Sequence, residues 1–245
     1  MDADLNMSRR IRRTPYTTKA VLAGVTGFSV VNHMLLPKSY GKSIEEDYWH
    51  LREFVQVWDV SCQRQVQIEG PDAALLIQKM TPRSICDLKV GQCYYITIID
   101  DSGGIINDPV LLKLSENKFW VSIADSDVLL YAKGLAIGME LNVLITEPDV
   151  FPLAIQGPKS EDVLAKLFGD YIRQIGFFNF GWVNFQGTEQ LIARSGYSSQ
   201  GGFEIYLKGK EMGPDLWDYI LEGGAFCNIS PGCPNLIDRV ESGLL

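Results

Sequence analysis

One local pattern occurs twice in this chain and limits the folds that it can adopt. Residues 64–80 read as a strand with alternating apolar side chains, a Gly70-Pro71 break and a helix. The segment "PLAIQGPKSEDVLAKLFG" at 152–169 repeats that order, and its Gly157 lies 87 residues after Gly70. Each helix is followed by a strand, a turn with paired glycines and a second strand, at 96–114 and 191–207 respectively. Two strand-helix-hairpin units in tandem predict a pseudo-symmetric α+β body of mixed sheets with helices packed outside.

This repetition also predicts how the chain is divided. We expect an N-terminal arm that leads into the fold at 1–42, a first α/β subdomain at 43–150 and a second α/β subdomain at 151–245. The last segment, "IDRVESGLL" at 237–245, reads as a helix that is cut off. We therefore expect the second subdomain to be truncated at the C-terminus and the chain to be a piece of a longer protein.

Helix starts can be assigned from capping residues. Ser43 precedes Glu46 by three residues in "SIEEDYWHLREFV", which is the spacing of a capping box. Asp72 and Ser160 are predicted N-caps of the two helices in the repeated pattern. Either Asp125 or Ser126 is predicted to cap a helix that ends at Gly138, and "DLWDYILEGG" at 215–224 predicts another helix.

Composition excludes several classes of protein. The 245 residues are 46% hydrophobic and 21% charged, with a net charge of -8 and a pI near 4.8, so a surface that follows nucleic-acid phosphates is not expected. No apolar window approaches the length of a membrane span, so we expect no membrane partner. Five cysteines without a C-x-x-C pair favour reduced thiols in a cytoplasmic protein over a zinc site or a disulfide framework, and we expect no metal.

Two carboxylates stand out in the paired hairpins. Asp108 interrupts the apolar run "GGIINDPVLLKL" at 103–114, where a buried carboxylate costs free energy unless it is paired. Glu204 follows the paired glycines of the second hairpin. A turn carboxylate beside Pro109 and the solvated side of an edge strand are the non-functional interpretations, and both stay open on the residues alone.

Aromatic residues accompany both carboxylates. Tyr94 and Tyr95 precede the first hairpin, and Trp120 lies on the strand before Ser122. Tyr197 and Tyr206 flank the paired glycines of the second hairpin. Aromatic faces beside a carboxylate suit a flat heterocycle or a cationic ligand, through stacking and cation-π attraction. The alternative is that these rings belong to the hydrophobic core.

Several separated motifs resemble one known family. They are "VWDVSCQRQVQIEGPDAALLIQKMTPR", "GGIINDPVLLKL", "VSIADSDVLLYAKGLAIG", "EPDVFPLAIQGPKS", "SGYSSQGGFEIYL" and "RVESGLL". Together they resemble the folate-dependent aminomethyltransferase, or glycine-cleavage T-protein, superfamily from about Arg10 to the last residue. Within that superfamily the sequence is most similar to the branch of dimethylsulfoniopropionate demethylases.

The resemblance implies a folate-binding aminomethyltransferase-like fold that here lacks the family's C-terminal barrel. It implies tetrahydrofolate as methyl acceptor, with Asp108 as the catalytic residue beside its reacting part and Glu204 accepting hydrogen bonds from the pterin edge. Tyr95, Ser122 and Tyr206 resemble further positions that bind the cofactor. Tyr197 and Tyr206 are the predicted walls for a small-molecule sulfonium substrate.

Departures from the aminomethyltransferase pattern indicate which branch of the superfamily the sequence resembles. Aminomethyltransferases usually read G-Y-T-G-E-D-G-x-E where this chain has "GYSSQGGFE", and they carry Ala-Arg-Asp where it has Pro234-Asn235-Leu236. Both departures favour the demethylases, although these tend to have Trp and Lys at the positions of Tyr197 and Ser199. The resemblance thus implies demethylation of dimethylsulfoniopropionate to 3-(methylthio)propanoate with formation of 5-methyltetrahydrofolate. Aminomethyl transfer from an amine donor, a non-catalytic folate-binding role and a homodimer stay open.

Overall fold

The computed structural model describes residues 8–241 and 243. Its α-helices are α1 Thr17–Leu22, α2 Ile44–Glu53, α3 Ala73–Met80, α4 Val128–Gly138, α5 Ser160–Phe168, α6 Gly213–Gly223 and α7 Leu236–Glu241. Its strands are β1 Gly27–Val31, β2 Met34–Ser39, β3 Val55–Asp59, β4 Gln65–Glu69, β5 Cys93–Tyr95, β6 Ile98–Ile99, β7 Ile105–Asn107, β8 Val110–Ser115, β9 Lys118–Ser122, β10 Leu144–Thr146, β11 Val150–Gln156, β12 Phe180–Phe185, β13 Thr188–Ala193, β14 Gly202–Lys208 and β15 Ile229–Pro231.

Two large sheets form the body of the fold. One has five strands in the order β10-β4-β9-β8-β5, and the other has six in the order β12-β13-β14-β11-β3-β15. Their described pairings are antiparallel except for β15, which runs parallel to β3. Smaller two-stranded sheets are formed by β1 with β2 and by β6 with β7. The predicted α+β class with mixed sheets is confirmed.

Helices cover the outer face of each large sheet. Apolar residues of the helices and of the sheets belong to the same hydrophobic clusters. Residues of α5 and α6 pack with the six-stranded sheet, and residues of α3 and α4 pack with the five-stranded sheet. A third cluster contains Leu112 and Trp120 from the five-stranded sheet together with Leu191 and Tyr206 from the six-stranded sheet. The two sheets therefore contact each other on the faces that the helices leave open.

The two Gly-Pro breaks have the same physical cause. Gly70 has φ +141°, and a Cβ there would lie 2.6 Å from the carbonyl oxygen of Asn142. Gly157 has φ +120°, and a Cβ there would lie 2.3 Å from the carbonyl oxygen of Phe54. Both positions need a positive φ and a close backbone approach, which only glycine combines without strain. The sequence repeat thus reflects a repeated backbone geometry.

Gly157→Ala is expected to destabilise the fold by about 3 kcal/mol, the sum of a strained φ and a steric clash with backbone that cannot move aside. Gly187→Ala is the matched control, since Gly187 also has a positive φ, +81°, but a Cβ there would meet no atom within 4 Å. That control is expected to lose only about 1 kcal/mol. Chemical denaturation of both variants measures the difference, and equal losses would contradict the role of the close approach.

The predicted capping box of α2 is confirmed, because the Ser43 hydroxyl accepts from the Glu46 amide at 3.1 Å and the Glu46 carboxylate accepts from the Ser43 amide at 2.8 Å. The prediction for Asp72 is confirmed in its position but not in its capping hydrogen bond. Asp72 occupies the N-cap position of α3, but its carboxylate accepts from the amide of Asn142 at 2.8 Å and leaves its own helix uncapped. The Asp72 carboxylate therefore makes a long-range hydrogen bond in place of the local capping hydrogen bond.

The remaining cap predictions fail because each helix starts elsewhere. Ser160 is the first residue of α5 and the N-cap position is Lys159, whereas the N-cap position of α4 is Asp127. Asp125 accepts from the Asn32 amide at 3.2 Å and Ser126 donates to the Ile106 carbonyl at 2.9 Å. Both side chains tie the loop before α4 to other elements.

Strand β3 comes from the predicted first subdomain but lies in the six-stranded sheet, where it pairs with β11 and β15. The boundaries predicted at residues 42 and 150 stay predictions. The end of the motif at 239–245 falls on Ser242, Leu244 and Leu245, which lie outside the described residues. Among the helices that the structure describes, no apolar stretch is long enough to cross a membrane.

Candidate active site

A cavity of about 740 Å³ is lined by residues from both hairpins of the repeated pattern. Asp108 and Glu204 both contribute to its wall, as do Tyr95, Ser122 and Tyr197. Its volume is in the range typical of cofactor and substrate pockets, which are mostly apolar with a few convergent polar groups. The structure thus brings together five of the six predicted site residues in one cavity.

Asp108 lies at a junction between sheets. The chain leaves the two-stranded sheet at Asn107, the last residue of β7, and enters the five-stranded sheet at Val110, the first residue of β8. Pro109 falls in this gap, where it removes no ladder hydrogen bond. Asn107 fixes the turn, because its amide group accepts from the Ala124 amide at 3.0 Å and donates to the Ser126 hydroxyl at 2.7 Å. The interruption of the apolar run therefore turns the Asp108 carboxylate toward the cavity.

The Asp108 carboxylate has two donors on one oxygen. Its Oδ2 accepts from the Tyr95 hydroxyl at 3.0 Å and from the Arg239 guanidinium at 3.2 Å. The Asp108 side chain is 18% exposed, so the ion pair with Arg239 is partly shielded from water. Burial, and then the hydrogen bond to Asp108, raises the pKa of Tyr95, so this phenol stays protonated and remains a donor near neutral pH.

Glu204 lies in an interior strand, not at an edge. Strand β14 runs between β13 and β11, and Glu204 is opposite Ala193 on one side and Ala154 on the other. These two alanines have short side chains, which leaves room for a carboxylate on that face. Glu204 is 5% exposed, and its neighbours Phe203 and Ile205 pack into the core on the other face. The solvated-edge interpretation is therefore wrong.

The Glu204 carboxylate is held by two hydroxyl donors. Its Oε2 accepts from the Ser195 hydroxyl and from the Tyr206 hydroxyl, the second at 3.3 Å. Burial raises the pKa of Glu204, and these two hydrogen bonds act in the opposite direction because they stabilise the charged form. Both of these donors use the same oxygen, and no hydrogen bond from the described residues to the other oxygen, Oε1, is seen.

Tyr206 is the predicted site residue that the cavity wall does not include. It is fully buried behind Glu204, and its ring lies 6.1 Å from that of Trp120. Its contact with the site is the hydrogen bond to Glu204. Direct ligand contacts of Tyr206 stay a prediction, and the structure supports an indirect role through Glu204.

The second hairpin owes its shape to a buried glutamine. Gln156 donates to the carbonyl oxygens of Ser195 and Phe203 at 3.2 and 3.3 Å. A Cβ on Gly196 or Gly202 would lie within 2.6 Å of the Gln156 amide, so both glycines allow the loop to close around it. The loop in turn places Ser195 and Tyr197 in the cavity wall.

Sequence reasoning missed several residues of the cavity wall. Arg239 from α7 lay in a recognised terminal motif, R-x-E-x-G, but no role was predicted for it. Phe177 and Phe178 stack edge to face at 4.7 Å and belong to a loop without a periodic signal. Ser195 is two residues before Tyr197, and its contact with Glu204 was not predictable from spacing.

Comparison with known proteins identifies the family. A family model described as the GCVT N-terminal domain matches residues 17–245. Dimethylsulfoniopropionate demethylase DmdA from Ruegeria pomeroyi is 49% identical over 243 residues, which cover 99% of this chain and 66% of that protein. An aminomethyltransferase from Natranaerobius thermophilus is 35% identical over 185 residues, which cover 74% of this chain and 50% of that protein.

The fold has a counterpart among solved structures. The glycine cleavage system aminomethyltransferase T from Bartonella henselae matches with a TM-score of 0.81 and 24% sequence identity, over 96% of this chain and 63% of that one. This chain thus spans between half and two thirds of the length of these relatives. The family model matches all but the first 16 residues, and the fold agrees. The chain therefore belongs to the GCVT N-terminal domain family, together with the aminomethyltransferases and the dimethylsulfoniopropionate demethylase that it resembles.

Proposed function

We propose that this chain carries the folate site of an enzyme that demethylates dimethylsulfoniopropionate to 3-(methylthio)propanoate, with tetrahydrofolate as methyl acceptor and 5-methyltetrahydrofolate as second product. The observation that carries the proposal is the presence of two carboxylates with different environments, Asp108 and Glu204, in the wall of one cavity. The 49% identity to a dimethylsulfoniopropionate demethylase, over 99% of this chain, supports the choice of substrate.

The cavity suits a reduced pterin. Glu204 offers one carboxylate oxygen to the N–H groups at the edge of a heterocycle, and charge-assisted hydrogen bonds of this kind are stronger than neutral ones. Phe177, Phe178 and Tyr197 provide aromatic wall around it. Tetrahydrofolate would supply the ring nitrogen that takes up the methyl group.

Asp108 is proposed to stabilise the positive charge that develops on the acceptor nitrogen during methyl transfer. When a methyl group leaves a sulfonium, positive charge moves from sulfur to the acceptor nitrogen, which then loses a proton. A fixed carboxylate close to that nitrogen stabilises the transition state, because it is already oriented before the reaction. Tyr95 and Arg239 hold the Asp108 carboxylate in place through its Oδ2 atom. No nucleophilic side chain takes part in this mechanism, and holding both reactants in line supplies the rest.

The sulfonium is proposed to lie against Tyr197. The Tyr197 ring is in the cavity wall and is itself supported by Trp58, with ring centroids 5.9 Å apart. Aromatic faces attract cations by about 0.5 to 2 kcal/mol each, more when water is excluded. Burial raises the pKa of Tyr197, so the phenol remains neutral and its ring serves as an uncharged surface for the cation.

A product assay tests the proposal. Purified protein is incubated with tetrahydrofolate and dimethylsulfoniopropionate, and in parallel with tetrahydrofolate and N-methylated glycines. We expect 5-methyltetrahydrofolate and 3-(methylthio)propanoate in the first reaction only. Product from the methylated amines would instead favour one-carbon transfer from an amine donor, and the 35% identical relative is named an aminomethyltransferase. Folate binding without either product would favour a non-catalytic folate-binding role.

A further inference from the structure

Tyr197 is supported in the cavity wall by a second aromatic ring, that of Trp58 in β3. Trp58 is 1% exposed and does not itself line the cavity. The two ring centroids are 5.9 Å apart and the ring planes are tilted by 49°. Both rings belong to one small hydrophobic cluster that also contains Leu51 and Ala154. The direction in which the Trp58 indole faces therefore determines the surface against which Tyr197 packs.

Gln56 fixes the direction of that indole. It is fully buried and lies two residues before Trp58, on the same face of β3. Its Oε1 accepts from the Trp58 Nε1–H at 2.7 Å. Its Nε2 donates to the backbone carbonyl of Asp47 at 2.9 Å and to Oδ1 of the Asp47 carboxylate at 3.0 Å. Since both Asp47 oxygens accept, the Gln56 amide group cannot exchange its oxygen and nitrogen, and its oxygen must face the indole.

The space around this hydrogen bond is closed by Gly232. A Cβ at that position would lie 2.3 Å from Oε1 of Gln56 and 3.0 Å from Nε1 of Trp58. The Gly232 amide is itself bonded to the carbonyl of Val57 at 3.0 Å, which holds this backbone in place. Among the described residues, the buried Trp58 N–H depends on Gln56 as its acceptor, and a buried donor without an acceptor is costly. Without the Gln56 amide, the indole has to turn or water has to enter.

The backbone next to Tyr197 is held separately, by Gln156. Gln56 and Gln156 are opposite each other where β3 pairs with β11. Oε1 of Gln156 accepts at 2.8 Å from the hydroxyl of Ser198, the residue after Tyr197. Gln156 therefore holds the loop, whereas Gln56 holds the surface behind the ring. A substitution of Gln56 changes the support of the Tyr197 ring and leaves the hydrogen bonds of its loop in place.

We propose that Gln56 is a positioning residue for the cation site: through its hydrogen bond to Trp58 it fixes the Tyr197 ring in the orientation that the substrate meets. The attraction between a cation and an aromatic ring depends on the ring face that the cation meets, and a ring already fixed in place avoids the cost of ordering it on binding. The effect on substrate binding rests on the proposed function, in which the sulfonium lies against Tyr197. The effect on the ring itself does not.

The position of the ring is tested by NMR in Gln56→Met, a variant that keeps the length of the side chain but removes its amide. Parent and variant are labelled with ¹⁵N in tryptophan and with ¹³C in the tyrosine rings, and Trp58→Phe and Tyr197→Phe assign the two signals. We expect the Trp58 indole proton to exchange with solvent about tenfold faster in Gln56→Met, because its hydrogen bond is lost. The Tyr197 ring signal is expected to shift, because the ring current of Trp58 reaches it from a different direction.

Gln190→Met is the matched control. Gln190 is also a fully buried glutamine in a strand, but its amide bonds to the backbone of Lys208. Both NMR signals are expected to stay at their parental positions in this variant. Unchanged signals in Gln56→Met would overturn the proposal, as would an equal change in Gln190→Met. Should Gln56→Met not fold, Gln56→Asn takes its place with the same expected result, because its shorter side chain draws the amide oxygen back from the indole.

Binding measurements separate this inference from the proposed function. The affinities for dimethylsulfoniopropionate and for tetrahydrofolate are measured by calorimetry in the parent, in Gln56→Met and in Gln190→Met. We expect Gln56→Met to bind the sulfonium about fivefold more weakly but tetrahydrofolate less than about twofold more weakly, since Glu204 and the two phenylalanines of the wall also hold the pterin. Equal weakening of both ligands would overturn the positioning role. A parent that binds no sulfonium would refute the proposed function, while the NMR signals would still decide whether Gln56 fixes the ring.

Discussion

Asp108→Asn is expected to lower the rate of methyl transfer about 100-fold while tetrahydrofolate affinity stays close to that of the parent. Loss of one oriented charge-stabilising group in an active site typically costs 10²- to 10³-fold in rate. In the parent, the Tyr95 hydroxyl donates to Asp108 at 3.0 Å. The asparagine side-chain oxygen can accept the same hydrogen bond, so the local shape is retained. Single-turnover formation of 5-methyltetrahydrofolate, with folate affinity measured separately, checks the prediction. Transfer at the parental rate would refute the electrostatic role of Asp108.

Arg239→Gln is the informative companion to this variant. It breaks the same ion pair from the other side, at the 3.2 Å contact, but leaves the Asp108 charge in place. If the carboxylate itself stabilises developing positive charge, Arg239→Gln should slow transfer by less than about tenfold. If the pair instead served only to hold the cavity wall together, both variants would lose a similar amount of activity and of thermal stability.

The fold was largely predictable because its main signals are local. The repeated Gly-Pro break, the alternation of the strands and the Ser43 capping box each depend on residues close together in the sequence. The failures are long-range. Asp72 bonds to Asn142 and not to its own helix, and β3 joins a sheet whose other strands begin about 90 residues later, after β10. Tertiary pairing of this kind overrides local preference and leaves no mark on spacing.

The candidate site was predictable to a similar extent. Asp108 is predicted because a carboxylate in an apolar run must have a partner, and Glu204 because it follows the paired glycines of the matching hairpin. The structure gives each of them a partner in the cavity wall. The identity of those partners was not predictable. Arg239 reaches Asp108 across 131 residues of sequence, and Ser195 contacts Glu204 only because the loop closes around Gln156. Contacts of this kind depend on the tertiary structure and cannot be predicted from the spacing of residues in the sequence.

Glu204→Ala is expected to weaken tetrahydrofolate binding by about 10- to 100-fold, because charge-assisted hydrogen bonds contribute about 1.5 to 3 kcal/mol each. The effect should appear in the dissociation constant, measured by calorimetry or fluorescence, and not only in turnover. The residue is 5% exposed and costs free energy to bury as a charge, so its removal need not unfold the protein. Thermal denaturation of the variant verifies that the fold persists, and equal folate affinity in parent and variant would refute the pterin role.

Glu204→Gln separates charge from shape. Ser195 and Tyr206 both donate to Oε2, so the glutamine oxygen must take that position and its NH₂ group must face the cavity. A pterin edge of N–H donors would then meet another donor, and we expect this conservative variant to bind folate no better than Glu204→Ala. The parent should also lose affinity as pH falls through the Glu204 pKa, which burial raises above its usual 4.5, because only the carboxylate accepts two N–H bonds. A glutamine variant with parental affinity, or parental binding that does not weaken on acidification, would show that shape and not charge holds the ligand.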